Sequence, residues 1–214
     1  MDSRVRNKLD KFFSKHKLLK YRKNELLIRV DDLPLGIFYL KEGLIREYDT
    51  RANAEDLTLN IYKPPAIFPL SYAINNTIPS RFFEAVIPST LFRAPKEDVL
   101  EFVKKEPEIL YDLISRIYRG LEGLFKRMEY LMAGNAQARL ITELLIYAKR
   151  FGLKQNEGIM INLKLTQKDL AAQSGIARET VGRILKNLKD KGLISFKERR
   201  FFVSDLVKLE EELF

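Results

Sequence analysis

The sequence predicts an α+β fold: an antiparallel barrel or roll in the first half, then one long helix, then a small helical module closed by a β-hairpin. Three observations carry this. Between Glu25 and Pro95, short runs rich in β-branched and aromatic residues alternate with turn signals. After Pro107, apolar residues recur at steps of three and four for three heptads. From Thr166 onward, two short amphipathic patterns flank a glycine and lead into an alternating, strand-like tail. A chain of 214 residues can hold one large domain or two modest ones and bury a core in either case.

Composition narrows the chemistry. Cysteine is absent and His16 is the only histidine, which excludes disulfides, thiolate zinc sites, iron–sulfur clusters and any imidazole cluster. No nucleophile–base constellation, metal-ligand spacing or phosphate-cradling glycine loop appears, so no enzyme, metal or cofactor is expected. No apolar run approaches the ~18 residues of a membrane span. The opening "MDSRVRNKLDKFFSKHK" is too interrupted by charge for a secretion signal, so a cytoplasmic location is expected. The net charge of +9 is uneven: residues 1–29 carry 10 basic and 3 acidic side chains, and residues 164–200 carry 10 and 4. A local excess of this kind suits a polyanionic partner.

Along the chain, Val5, Leu9, Phe12, Phe13 and His16 lie at helical spacing, which predicts a short helix packed on the following domain rather than on a membrane surface. "ELLIRV", "GIFYLKEG", "LIREYDT", "LTLNIYK", "FFEAVI" and "TLFRAP" read as strands separated by "DDLP", "KEG", "TRANAED" and "KPPA". Six or more short strands at this spacing fit an antiparallel barrel or roll. Helical pattern resumes near Lys96. Leu110, Ile114, Ile117, Leu121, Leu124, Met128 and Leu131 then form a heptad seam of the kind that pairs two helices. A second stripe, Leu113, Phe125 and Met132, is expected to pack against the strand domain, and two apolar faces on one helix favour a dimer. Gly134 breaks the pattern, and Asn135 reads as the N-cap of the helix in "AQARLITELLIYAKRFG". The domains expected are therefore 1–106, 107–134 and 135–214, with Gly134–Asn135 as a hinge.

In "ARETVGRILKNLKDKG", Val181, Ile184, Leu185 and Leu188 share one helical face, while Glu179, Arg183 and Lys186 lie opposite and Arg178 sits in the first turn. Arginine can pair bidentately with guanine O6 and N7, and glutamate can accept from cytosine N4. Gly182 removes bulk from the same stretch. Upstream, Thr166 caps a helix with Leu170 and Ala171 inward, and Gly175 ends it. Two helices joined by a short glycine turn make a helix-turn-helix, and "LISFKERRFFVSD" adds a hairpin wing with a charged tip from Lys197 to Arg200.

Residues 165–203, and "RETVGRILK" above all, resemble the C-terminal winged helix of the Crp/Fnr family of bacterial transcription regulators. The likeness extends over nearly the whole chain: the strand-rich segment resembles the family's cyclic-nucleotide-binding-like jelly roll, with Gly43 in its turn, and 107–134 resembles its dimerisation helix. The resemblance implies a homodimer reading a pseudo-palindromic, TGTGA-like operator through the helix 177–191. Arg178, Glu179 and Arg183 would read bases. Thr166, Gln167, Lys168, Thr180, Lys186, Lys197, Arg199 and Arg200 would touch the DNA backbone. Ala177 departs from the family's usual serine and removes an N-cap worth ~1 kcal/mol.

The family's cyclic-nucleotide site needs Gly-Glu after a phenylalanine and Arg-Ser or Arg-Thr for the phosphate. Here Phe68 is followed by Pro69 and Leu70, and Arg81 by Phe82, Phe83 and Glu84. Cyclic AMP is therefore not the expected effector. What remains is an apolar, aromatic region around Tyr72, Phe82 and Phe83 with Arg81 as an anion partner; the same residues also fit a packed core without ligand. The partners expected are double-stranded DNA, a second copy of the chain, RNA polymerase and an unnamed small-molecule effector, with no membrane. Two other readings stand beside this one: a constitutive DNA-binding regulator whose roll is only a dimerisation scaffold, and a protein-interaction module that uses the winged helix.

Overall fold

A computed structural model describes residues 2–50, 56–156 and 158–213, without the side chains of residues 131 and 133. The chain divides into two compact units, Met1–Ile117 and Tyr118–Phe214.

The first unit runs α1 (Ser3–Phe13), β1 (Lys17–Tyr21), β2 (Leu26–Ile28), β3 (Ile37–Glu42), β4 (Ile45–Thr50), β5 (Asp56–Tyr62), β6 (Ala66–Phe68), α2 (Leu70–Asn75), β7 (Phe82–Ala85), β8 (Ser89–Ala94) and α3 (Lys96–Lys105). It ends within α4 (Pro107–Ala133), which crosses the division. The strands form two four-stranded antiparallel sheets, β1-β8-β3-β6 and β2-β7-β4-β5, the β-roll that the strand pattern predicts. The turn read over "TRANAED" falls largely on residues 51–55, outside the described residues. β1, β6 and α2 have no counterpart in the sequence reading, and the N-terminal helix stops at Phe13 instead of continuing to His16.

Strand β3 explains the layering. Its side chains alternate between two apolar surroundings, so that the run Ile37–Leu40 is buried throughout. Phe38 and Leu40 point between the sheets, with Ile28, Ile45, Phe68, Phe83 and Leu91. Ile37 and Tyr39 point to the other face, onto Leu9 and Phe13 of α1, Val99 of α3 and Ile109 of α4. Phe13 stacks on Tyr39 at 4.8 Å, and the Tyr39 hydroxyl donates to Asp10 at 2.8 Å. Gly43 makes the tight β3–β4 turn at φ +97°, where an added Cβ would lie 2.1 Å from the Ser89 hydroxyl; only glycine fits.

The second unit follows α4 with α5 (Ala136–Phe151), β9 (Gly152–Gln155), β10 (Gly158–Ile161), α6 (Gln167–Ser174), α7 (Arg178–Asp190), β11 (Ile194–Lys197), β12 (Arg200–Val203) and α8 (Leu206–Glu211). Its small antiparallel sheet has the order β11-β12-β10-β9. The Asn135 side chain caps α5, accepting from the Ala138 amide at 2.9 Å. Helix α5 is the spine of the unit: Leu140, Ile141 and Leu144 are wholly buried.

The seam of α4 is uncovered. Leu110, Ile114, Ile117, Leu121, Leu124 and Met128 are 37–54% exposed, and the side chain of Leu131 lies outside the described residues. The expected second stripe divides. Leu113 is buried in the first unit, whereas Phe125 and Met132, in the second, are 63% and 84% exposed, so the three do not form the one buried stripe that the spacing predicts.

Arg127 of α4 holds Glu143 of α5 with two hydrogen bonds, of 2.6 and 2.8 Å. Burial raises the Glu143 carboxyl above its ordinary value, and the guanidinium pulls the other way. Because the native value exceeds the unfolded one of about 4.3, the folded state keeps its proton longer. Stability therefore falls as pH rises through that interval. Glu143→Gln should abolish this slope and cost about 2–3 kcal/mol in urea unfolding. That lies under the range for a fully buried pair, because Arg127 keeps 20% of its side chain exposed.

Candidate nucleic-acid interface

The interface is built on α6 and α7. Thr166 begins α6 with a reciprocal capping box: its hydroxyl accepts from the Asp169 amide at 3.1 Å, and the Asp169 carboxylate accepts from the Thr166 amide at 2.7 Å. The Thr166 hydroxyl also donates to that carboxylate at 2.7 Å. Thr166, expected at the DNA backbone, thus already has its polar groups bound within the chain. Asp169 is a residue the sequence reading missed, although the Thr-x-x-Asp spacing is the signal of such a box. Gln167 and Lys168 are exposed on the first turn.

Helix α6 ends at Gly175, left-handed at φ +64°, and the Ile176 amide reaches back to the Ala171 carbonyl at 3.2 Å. The chain then enters α7 with Ala177 at the N-cap and no side-chain hydrogen bond there, as the missing serine predicts. One face of α7 is buried: Val181 and Leu188 are 0% exposed, Ile184 8% and Leu185 7%. The far end is closed by the Leu193 amide on the Leu188 carbonyl and the Gly192 amide on that of Lys189. Ser204 after β12 donates to the Gly192 and Leu193 carbonyls at 2.8 and 3.1 Å, tying the wing to this end.

The opposite face carries Glu179, Arg183 and Lys186, all exposed; Arg178, about 60° around the helix from Val181, is exposed in the first turn, and Thr180 is half-buried. No ion pair among the described residues involves Arg178, Glu179 or Arg183. Gly182 is half-buried, and a Cβ added there would meet the Gln167 side chain at 3.5 Å, an ordinary contact. In the wing, Glu198 and Arg199 make a two-residue turn at φ +53° and +61°, the left-handed pair that joins strands tightly. Lys197 and Arg199 are exposed at its tip; Arg200 is half-buried, with an Nε that finds no hydrogen-bond partner. Glu179 and Arg183 thus share one exposed face, and Arg178 stands exposed at the start of the helix.

The four effector residues are not gathered. Tyr72 packs with the helical side of the first sheet, under the Lys96 ammonium at 4.7 Å. Phe83 points between the sheets, and Phe82, its neighbour in the strand, stacks on Tyr48 at 5.2 Å. Arg81 pairs with Glu47 at 3.2 Å, and Glu47 also accepts from the Tyr62 hydroxyl at 2.9 Å. Tyr62, Phe68 and Phe83 stack on one another inside the roll. Of the two readings open for these residues, the packed core is the one the contacts favour: Phe83 stacks in the interior, Phe82 stacks on Tyr48, and Arg81, 49% exposed, pairs with Glu47.

A winged helix-turn-helix joined to a β-roll by a long helix is the architecture of a ligand-responsive class of DNA-binding regulators. Residues 18–106 match the cyclic nucleotide-binding domain and residues 138–212 the Crp-like helix-turn-helix domain. A global nitrogen regulator from Nostoc sp. is 26% identical over 198 residues, covering 90% of this chain and 87% of its own. A cyclic AMP receptor protein from Thermus thermophilus is 25% identical over 183 residues, covering 86% and 82%. Among solved structures, a CooA mutant from Carboxydothermus hydrogenoformans superposes with a TM-score of 0.76 at 23% identity, covering 93% of this chain and 88% of that one. The chain belongs to the Crp/Fnr family of DNA-binding transcription regulators.

Ala177→Ser should supply the missing cap and raise stability by about 1 kcal/mol in chemical unfolding. Gly182→Ala should add a similar amount, since its methyl group has room and alanine favours the helix by about 1 kcal/mol. If Gly182 serves close approach to bases, that variant gains stability while losing affinity for DNA.

Proposed function

We propose that the chain is a homodimeric regulator that reads a pseudo-palindromic, TGTGA-like operator through the helix 177–191. In this reading residues 1–106 are the sensor, 107–134 the dimerisation helix and 135–214 the DNA-binding domain. The observation that carries it is helix α7, with Glu179 and Arg183 exposed opposite a buried apolar face and Arg178 exposed in the first turn. Arg178 and Arg183 pair with guanines and Glu179 accepts from cytosine, while Gln167, Lys168, Lys186, Lys197 and Arg199 meet phosphates. Thr166 helps by fixing the start of α6 more than by touching DNA. The exposed seam of α4 supports pairing with a second copy, which sets two recognition helices about one DNA turn apart.

The effector is not cyclic AMP in this reading. The roll interior is filled by Tyr62, Phe68 and Phe83, and Arg81 is already neutralised by Glu47. The same observation favours a second reading, a constitutive regulator whose roll serves only as scaffold.

Fluorescence anisotropy of the full chain on a TGTGA-N6-TCACA duplex and a scrambled one tests both readings. The matched duplex should bind at least ~10³-fold tighter without nucleotide, and affinity should fall steeply with salt. Arg183→Ala should lose about 1–3 kcal/mol of that discrimination. Equal binding to both duplexes, with and without cyclic AMP, would sink the operator assignment. Leu121→Lys should yield monomers by sedimentation and lose operator binding; a dimeric variant would remove α4 from the interface.

A further inference from the structure

Beside the inter-sheet core of the roll lies a cavity of about 170 Å³ whose lining includes neither Glu47 nor Arg81. Tyr21, Ile28 and Phe38, which belong to the inter-sheet core, form its apolar wall. Arg93 lines it too. On β8 it lies on the same face as Leu91 and stands opposite Phe38 in the β3–β8 register. At the rim are Arg29, Asp32, and the leucines Leu33 and Leu35, which are 64% and 80% exposed.

The charges at this mouth are unbalanced. Arg93 sits directly across from Lys17 in the β1–β8 register, a like-charge pair that weakens a sheet. Among the described residues neither Arg93, Lys17 nor Arg29 takes part in an ion pair; Asp32 shares the rim and its backbone amide donates to the Arg29 carbonyl at 3.4 Å, but its carboxylate pairs with none of them. Burial raises the Tyr21 hydroxyl above its ordinary value, with the Arg93 charge pulling it down and the Glu25 carboxylate pushing it up. Arg93, Arg29 and Tyr21 thus line one cavity beside an apolar wall, and Leu33 and Leu35 stand exposed at its rim.

We propose that this mouth binds a short-chain aliphatic monocarboxylate, its head group between Arg93 and Arg29 and its tail along Ile28, Phe38 and Leu35. A guanidinium matches a carboxylate with two parallel hydrogen bonds. The anion also relieves the Lys17–Arg93 repulsion. At a liquid share of about 30 Å³ per water-sized group, the cavity admits about six such groups, which takes the five-carbon tail of hexanoate with its carboxylate at the mouth.

Isothermal calorimetry on the full chain at low ionic strength tests this with hexanoate, 1-hexanol and acetate as probes. Hexanoate should saturate at one per chain with a Kd of about 1 mM or below, and 1-hexanol and acetate should each bind at least ~10-fold more weakly. Arg93→Gln and Arg29→Gln should each weaken hexanoate by ~10-fold or more. Arg29 is exposed, so its variant keeps the test valid if the Arg93 variant does not fold. No saturation by hexanoate, equal binding of 1-hexanol, or wild-type affinity in the folded arginine variants would each overturn the assignment. The outcome is independent of any operator.

Discussion

The interface depends on the burial of one face of helix α7. Val181, Ile184, Leu185 and Leu188 are each worth roughly 1.5–3 kcal/mol when taken out of water, so together they outweigh any other rotation of the helix. Turning α7 by a single residue, about 100°, would bring Glu179 or Arg183 toward the core and push an aliphatic residue out. That penalty holds the polar face in one orientation. The two ends are fixed independently: the turn at Gly175 sets where the helix begins, and the Leu193 amide with the Ser204 hydroxyl sets where it stops. The side chains of Arg178, Glu179 and Arg183 are long and exposed, and the placing of their helix comes from the buried side they never touch.

Much of this was legible in the sequence because it rests on local periodicity. The 3.6-residue pattern of α7, the Asn135 cap, the Gly175 stop and the seam of α4 are each written within a few neighbouring residues. The short elements were not. β6 and α2, three and six residues long, give too few positions for a period to show. β1 is a five-residue strand lying directly behind a helical stripe in the same basic stretch, and its pattern was absorbed into that stripe.

The effector region shows a different limit. Tyr72, Arg81, Phe82 and Phe83 are close in sequence, but strand alternation sends Phe82 and Phe83 to opposite faces. Arg81 finds its partner in Glu47, on a strand 34 residues earlier, and no local pattern announces such a pairing. Strand β3 teaches the converse. A run buried on both faces has no alternation to read, yet its sheet separates two cores, and both the stacked interior and the helical cover depend on it.

The uncovered seam of α4 has a consequence for how the molecule behaves in dilute solution. An apolar stripe that a second copy covers ties folding to association by mass action, so measured stability becomes a function of protein concentration. In the proposed dimer, single chains below the dissociation constant of the pair would carry the stripe into water and melt at lower temperature. Occupancy of a two-fold site then rises more steeply than first order in total chain. The copy number of the protein would in that case set its response, before any small molecule does.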